Sequence, residues 1–281
     1  MSPRKTVPFR VFIFLFSVLS LSWAFGLYVF SAPDRLWMFN RVMFIPGIVA
    51  LLLRISERQG LRQITAPLLR RLDLPSILFA VGYPLAVIAG CALISLGLGL
   101  AHLTPLSPGR LVPHPTLFAF LVVLGEEYGW RGYLLPRLAA WRGLVAATAI
   151  VGLVWALWHA PFLFWLASRL GTAAPLKLCG IQMAAVFVIA FPFSYVYART
   201  GSIIPPMIFH YVWNEYNPVI LGNIYRNQPG LLAGKILTIN GEGILGVVLG
   251  GLAALAFARR LRQSTLQREK QDRPGVAEAM P

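Results

Sequence analysis

Apolar residues in this chain form eight long runs, separated by short polar stretches or by stretches containing Pro and Gly. An apolar run of about 20 residues crosses the hydrocarbon core of a bilayer as an α-helix. The pattern therefore predicts about eight transmembrane helices, at residues 9–30, 37–53, 77–100, 116–138, 144–167, 178–198, 203–223 and 243–258. The seventh run is the most polar, because it contains Asn214, Glu215 and Asn217, as expected for a helix that lines a cavity.

Composition supports a membrane protein. Hydrophobic residues make up 57% of the 281 residues and charged residues only 12%, which is unlike the balance of a soluble domain. The predicted fold class is all-α, a polytopic integral membrane helix bundle. A signal peptide is a weaker interpretation of the first run, because the run is long and another apolar run follows almost at once. Cys91 and Cys179 fall in or beside predicted helices and imply no disulfide framework.

The formal net charge of +15 does not point to nucleic acid. The basic residues cluster at those helix ends that would lie on one side of the membrane. Lys and Arg accumulate on the cytoplasmic side of membrane proteins. With an even number of helices, both termini are predicted to be cytoplasmic (N-in/C-in), and the bilayer rather than nucleic acid is the expected partner. The residues toward or on this side are Arg4, Lys5, Arg10, Arg54, Arg58, Arg62, Arg70, Arg71, Arg131, Arg137, Arg142, Arg199, Arg259, Arg260 and Arg262.

The fourth run contains Glu126, Glu127 and Arg131, three ionisable residues among apolar neighbours. Ionisable groups at membrane depth are costly and mark functional sites. Residues four apart lie on one face of a helix, so Glu127 and Arg131 are predicted to form an ion pair. Glu126 points away from that pair and is the candidate general base.

Further polar residues stand in the fifth and seventh runs. His159 follows Trp155 by four positions, and Asn214 follows His210 by four. A neutral His or an Asn can donate a hydrogen bond to a developing oxyanion. Such residues also serve as hydrogen-bonding contacts between membrane helices, but a set spread over three helices favours a functional site. Glu215 and Asn217 remain open between the two interpretations.

Three motifs together resemble those of the CAAX prenyl endopeptidase type (CPBP) intramembrane protease family. They are Glu126-Glu127-x-x-x-Arg131, Trp155-x-x-x-His159 and His210-x-x-x-Asn214. The resemblance covers about residues 115 to 220. One departure is Trp155, because the family usually has Phe at the start of the second motif.

This resemblance implies hydrolysis of a peptide bond inside a membrane cavity. Glu126 and His159 would activate a water molecule, while His210 and Asn214 would form the oxyanion hole. Glu127, Arg131 and Trp155 match supporting positions. The implied substrate is a peptide or a membrane protein, including one lipidated at its C-terminus, and the expected location is a prokaryotic inner (cell) membrane with multiple passes.

Two alternatives stay open. Glu126, His159 and His210 could hold a zinc ion with an open coordination position, although the HExxH signature is absent; no cofactor is firmly predicted. The polar cluster could also serve a non-catalytic binding or immunity protein, or a transporter with a proton relay.

The predicted organisation has four parts. Residues 1–114 form N-terminal transmembrane helices with a basic cytoplasmic loop, 115–223 the catalytic core, 224–262 a C-terminal transmembrane helix and 263–281 a polar tail expected to be disordered. Straight helices would hold Glu126, His159 and His210 at different depths. We therefore expect misplaced helix boundaries or breaks near Gly129, Gly132 and Pro161, and a cavity that opens toward the cytoplasm.

Overall fold

The computed structural model describes residues 9–70, 72–105, 117–169 and 175–272. The basic residues Arg4, Lys5 and Arg71, and the tail beyond Asp272, lie outside the described residues. In chain order the elements are α1 (Phe9–Phe30), a 3-10 helix (Pro33–Met43), α2 (Phe44–Ser56), α3 (Leu61–Leu69), α4 (Leu74–Gly97), β1 (Ala101–Leu103), α5 (Leu117–Glu127), a π-helix (Tyr128–Leu134), α6 (Leu135–Arg142), α7 (Leu144–Arg169), α8 (Pro175–Thr200), α9 (Ile204–Leu221), β2 (Leu232–Gly234), α10 (Ile236–Ile239) and α11 (Ile244–Asp272).

The predicted fold class is confirmed, because the protein is an all-α polytopic membrane helix bundle. Six helical segments of the described chain are long and apolar enough to cross a membrane: Phe9–Phe30, Pro33–Ser56, Leu74–Gly97, Leu144–Arg169, Pro175–Thr200 and Ile236–Gln263. The fourth predicted span is divided into α5, the π-helix and α6, and the seventh corresponds to the more polar α9. The total of eight spans and the N-in/C-in orientation stay predictions.

The division of the fourth span results from close packing against α2. A Cβ atom on Gly129 would lie 2.7 Å from the backbone carbonyl carbon of Pro46, so no larger residue fits there. Arg54 on α2 donates a hydrogen bond to the Gly132 carbonyl at 2.7 Å, which satisfies an acceptor within the irregular turn. Insertions of this kind in helices are frequent at functional sites. The expected breaks near Gly129 and Gly132 are therefore present, whereas α7 continues through Pro161.

Aromatic side chains hold the central helices together. Phe193 on α8 stacks on Phe209 on α9 with ring centroids 4.2 Å apart, and Trp130 of the π-helix meets Trp158 on α7 edge to face at 6.2 Å. All four side chains are buried. This packing brings the π-helix, α7, α8 and α9 around one point, where the polar residues of the three sequence motifs lie.

Two short strands close the end of the bundle opposite α3. β1 and β2 pair antiparallel, with Ala101 opposite Gly234, and Thr104 donates a hydrogen bond to the Gly230 carbonyl at 2.8 Å. The strands tie the end of α4 to the segment between α9 and α11. At the other end of the chain α11 continues to Asp272, into the segment predicted to be a disordered tail.

Candidate active site

A cavity of about 960 Å³ lies between α5, α7, α8 and α9. The four candidate catalytic side chains and Trp155 line it, together with Glu215 and Asn217. These residues lie on α5, α7 and α9, far apart in the sequence, and the structure brings them together around one cavity. These cavity-lining candidates are Glu126, Trp155, His159, His210, Asn214, Glu215 and Asn217.

Trp155 connects the two groups expected to activate water. Its indole N–H donates a hydrogen bond to the Glu126 carboxylate, and its backbone carbonyl lies 2.7 Å from His159 Nδ1. A carbonyl can only accept a hydrogen bond, so His159 carries its proton on Nδ1. Nε2 of His159 therefore has a lone pair available to accept a proton. Glu126 itself is only 1% exposed.

Glu127 and Arg131 form the predicted ion pair, with Nη1 of Arg131 2.9 Å from Oε1 of Glu127 and both side chains fully buried. The guanidinium also lies over the rings of Trp155, at 4.2 Å, and Phe193, at 4.4 Å. Aromatic faces attract a cation, so these rings replace part of the hydration that Arg131 has lost. A buried pair of this kind is costly to break, because removal of one partner leaves the other charge uncompensated.

Glu127 has a second partner that helical spacing alone did not predict. Nδ1 of His210 lies 2.9 Å from Oε1 of Glu127. The same Glu127 oxygen already accepts a hydrogen bond from Arg131, so it is the acceptor in this contact as well, and His210 carries a proton on Nδ1. With the Nδ1 proton donated to Glu127, Nε2 of His210 can donate a hydrogen bond only when the ring is an imidazolium.

The polar residues of α9 differ in their surroundings. Asn214 is exposed to the cavity, whereas Asn217 is buried. Asn217 donates to Oδ1 of Asn240 at 3.0 Å and accepts from the Gly241 backbone N–H at 3.0 Å. Asn217 therefore anchors the segment that precedes α11, while Asn214 presents its amide to the cavity.

Glu242 is a cavity-lining carboxylate that lies just outside the eighth predicted span. It accepts hydrogen bonds from Tyr225 at 3.0 Å, Gln182 at 3.1 Å and Trp213 at 3.2 Å. Burial, with a further contribution from Glu242, raises the pKa of Tyr225 well above its ordinary value, so the phenol stays a donor. One signal was present in the sequence: Glu242 stands between two glycines immediately before the last apolar run.

Glu126, His159 and His210 are the candidate ligands for a metal. Among the described residues, no group of three His, Cys, Asp or Glu side chains is arranged to hold a metal ion. Nδ1 of His159 is engaged by a carbonyl and Nδ1 of His210 by Glu127, so only Nε2 of each ring could bind a metal. Histidines that bind a metal commonly donate their other N–H in this way. The described residues do not bring Glu126, His159 and His210 together as a three-ligand group, and no step below depends on a metal.

The cavity opens at the end of the bundle where α1 and α9 end and α5 begins. Its lining there includes Phe30, Trp37, Phe118 and Arg226. Under the N-in prediction this is the non-cytoplasmic end. The predicted orientation and the expected opening toward the cytoplasm therefore cannot both be correct, since α1 leads away from the predicted cytoplasmic side.

The fold and this cavity define a polytopic membrane protein with a buried site of carboxylate, imidazole and amide groups. Residues 108–215 match the family model described as Rce1-like, type II CAAX prenyl endopeptidase. This segment is therefore similar to the family that the three sequence motifs resemble. The chain is also similar to "CAAX prenyl protease 2" of Methanococcus maripaludis, with 41% identity over 51 residues; the match covers 18% of this chain and about a fifth (19%) of that relative's length.

Proposed function

We propose that this protein is a membrane-embedded endopeptidase in which Glu126 and His159 activate a water molecule. The observation that carries this proposal is the pair of contacts made by Trp155, which fixes the Glu126 carboxylate and directs the free Nε2 of His159. Both groups line one cavity. Positioned general bases accelerate proton transfers of this kind, and a fixed water would be close to both acceptors.

The reaction begins when the water oxygen attacks the carbonyl carbon of the scissile peptide bond. The water gives its proton to Glu126 or His159 as the C–O bond forms, and the carbonyl oxygen becomes an oxyanion. When the tetrahedral intermediate collapses, the C–N bond breaks and the departing amine receives the proton. The two products are a carboxylic acid and an amine, so one water is consumed for each bond cleaved.

His210 and Asn214 supply the oxyanion hole in this proposal. Asn214 presents its amide to the cavity, and His210 in its imidazolium form donates from Nε2. Donors aimed at a developing oxyanion in a site with little water contribute several kcal/mol of barrier lowering. Glu127 supports this role because it holds Nδ1 of His210, and Arg131 in turn holds Glu127.

The proposed substrate is a peptide or a membrane-protein segment that reaches the cavity from the bilayer. The mouth of the cavity is lined by aromatic side chains such as Phe39, Phe162 and Trp165, which suit an apolar group. A lipid at the substrate's C-terminus would pack against these rings, and the similar protein from Methanococcus maripaludis is named a prenyl protease. The proposed location is a prokaryotic cell membrane.

The test compares wild type with Glu126→Gln in the same membranes, with Asp34→Asn as the matched control. Asp34 is an exposed carboxylate outside the cavity lining. Mass spectrometry of newly formed protein termini should detect cleavage with wild type and Asp34→Asn, and none with Glu126→Gln. Full cleavage by Glu126→Gln would overturn the assignment. Substrate that binds or crosses the membrane uncleaved would favour the binding-protein or transporter alternative.

A further inference from the structure

One end of the bundle collects basic residues from six separate segments. Arg10 of α1 donates to Ser56 at the end of α2 at 2.9 Å, and Arg137 of α6 pairs with Glu57 at 2.6 Å. The segments meet here through these contacts, so we name this the basic end. In the described chain its basic residues are Arg10, Arg54, Arg58, Arg62, Arg70, Arg137, Arg142, Arg199, Arg259, Arg260 and Arg262.

One end of each of α4, α8 and α9 also lies at the basic end. Arg199, in the last turn of α8, pairs with Asp73, which caps the start of α4, at 3.6 Å. Ile203, just before α9, donates its backbone N–H to the Pro67 carbonyl of α3 at 2.9 Å. The starts of α1, α4 and α9 and the end of α8 therefore lie together at the basic end.

The mouth of the cavity is built from the other end of these helices. Arg169, at the end of α7, donates to the Phe30 carbonyl at the end of α1 at 2.9 Å, and the rings of Phe30 and Trp165 stack at 4.0 Å. The basic residues described at this end are fewer: Arg35, Arg41, Arg169, Lys177, Arg226 and Lys235.

None of the described basic-end residues lines the cavity, whereas Arg169 and Arg226 of the opposite end do. Beyond Glu126, the buried π-helix and the ion pair of Glu127 with Arg131 lie between the cavity and the basic end. In the part of the chain that the structure describes, the mouth is therefore the route by which a substrate reaches Glu126.

From these placements we propose that the active site receives substrate from the non-cytoplasmic face of the membrane. An excess of Lys and Arg marks the cytoplasmic side, which assigns the basic end to the cytoplasm and the cavity mouth to the opposite face. The inference rests on the proposed endopeptidase function only in that it calls the molecule entering the cavity a substrate. The substrate class is then a polypeptide segment presented at the outer leaflet, in an exported protein or in the non-cytoplasmic part of a membrane protein.

The test measures the accessibility of two arginine positions replaced by cysteine in a chain whose own cysteines are removed (Cys91→Ala, Cys179→Ala). Arg226→Cys reports on the cavity mouth and Arg62→Cys on the basic end; both side chains are exposed. Right-side-out and inside-out membrane vesicles are treated with a membrane-impermeant maleimide. We expect Arg226→Cys to react in right-side-out vesicles only, and Arg62→Cys in inside-out vesicles only.

Detergent-solubilised protein gives the control, because both thiols must react there. The reverse pattern, or labelling of both positions from one side, overturns the proposal. A fluorescent protein fused after Pro281, of a kind that matures only in the cytoplasm, provides a second measurement, and a dark fusion also overturns it. Neither measurement depends on peptide cleavage, so a failure here is distinct from a failure of Glu126→Gln to abolish cleavage.

Discussion

His210 donates a hydrogen bond from Nδ1 to Oε1 of Glu127 at 2.9 Å, between residues 83 positions apart in the chain. The same carboxylate oxygen accepts from Arg131 at 2.9 Å. One buried acid thus orients an imidazole on α9 and compensates a guanidinium on the π-helix. This double role separates Glu127 from Glu126, whose carboxylate contacts Trp155 instead.

Replacement of Glu127 by Gln should lower both stability and activity. The amide cannot compensate the buried Arg131, and breaking a buried ion pair costs about 3–5 kcal/mol. Thermal unfolding in detergent measures the loss. The double variant Glu127→Gln/Arg131→Met removes both charges and should regain most of the stability, but it should remain inactive because His210 has lost its anionic acceptor. Recovery of activity in the double variant would contradict the orienting role of Glu127.

The contacts of Glu127 also show what the sequence could predict. The pairing with Arg131 follows from residues four apart on one helix, and the structure contains it. The contact with His210 requires the packing of α9 against the fourth span, which no local spacing encodes. The π-helix is similar: Gly129 and Gly132 indicated a break, but its form depends on the approach of Pro46 on α2.

Glu242 is a second residue whose contacts could not be predicted from the sequence. Apolar runs locate helices well, because they report burial in lipid, and every predicted span has a helical counterpart among the described residues. A single acid between glycines carries no periodic signal. Its place in the cavity wall depends on Gln182, Trp213 and Tyr225, which come from three other segments. The apolar pattern therefore does not identify a residue such as Glu242, which lies between two predicted spans in the sequence but lines the cavity.

Replacement of Trp155 by Phe, the family's usual residue at this position, should reduce the rate without abolishing it. Phe keeps a ring and the backbone carbonyl that holds His159, but it loses the N–H donor to Glu126. A hydrogen bond to a charged group contributes about 1.5–3 kcal/mol, or roughly 10- to 100-fold in rate if all of it positions the base. Steady-state kcat and KM on a peptide substrate measure the effect.

The control for this prediction is Trp155→Ala, which removes the ring that lies against Arg131 and near the imidazoles of His159 and His210. Loss of a buried aromatic side chain costs about 3–5 kcal/mol, so this variant should be both unstable and inactive. An unchanged rate in Trp155→Phe would show that the indole N–H does not position Glu126.

Asn214 and Asn217 form a matched pair on α9 with different expected outcomes. Asn214→Ala should lower kcat by about 10²–10³ with little change in stability, as expected for removal of an oxyanion donor. Asn217→Ala breaks contacts with Asn240 and Gly241 and should lower the free energy of unfolding by about 1–3 kcal/mol. Kinetics and thermal unfolding of both variants separate the two roles. Equal kcat values for Asn214→Ala and wild type would remove Asn214 from the oxyanion hole.

Metal dependence gives the last prediction, and the placement of the three candidate ligands determines its direction. Glu126, His159 and His210 do not form a three-ligand group in the described chain. We therefore expect purified protein to keep its activity after prolonged treatment with a zinc chelator, and metal analysis to find zinc well below one equivalent. Wild-type protein carried through the same treatment without chelator controls for nonspecific inactivation. Stoichiometric zinc, with activity lost on its removal and restored by zinc alone, would contradict the metal-free scheme and assign those three side chains as ligands.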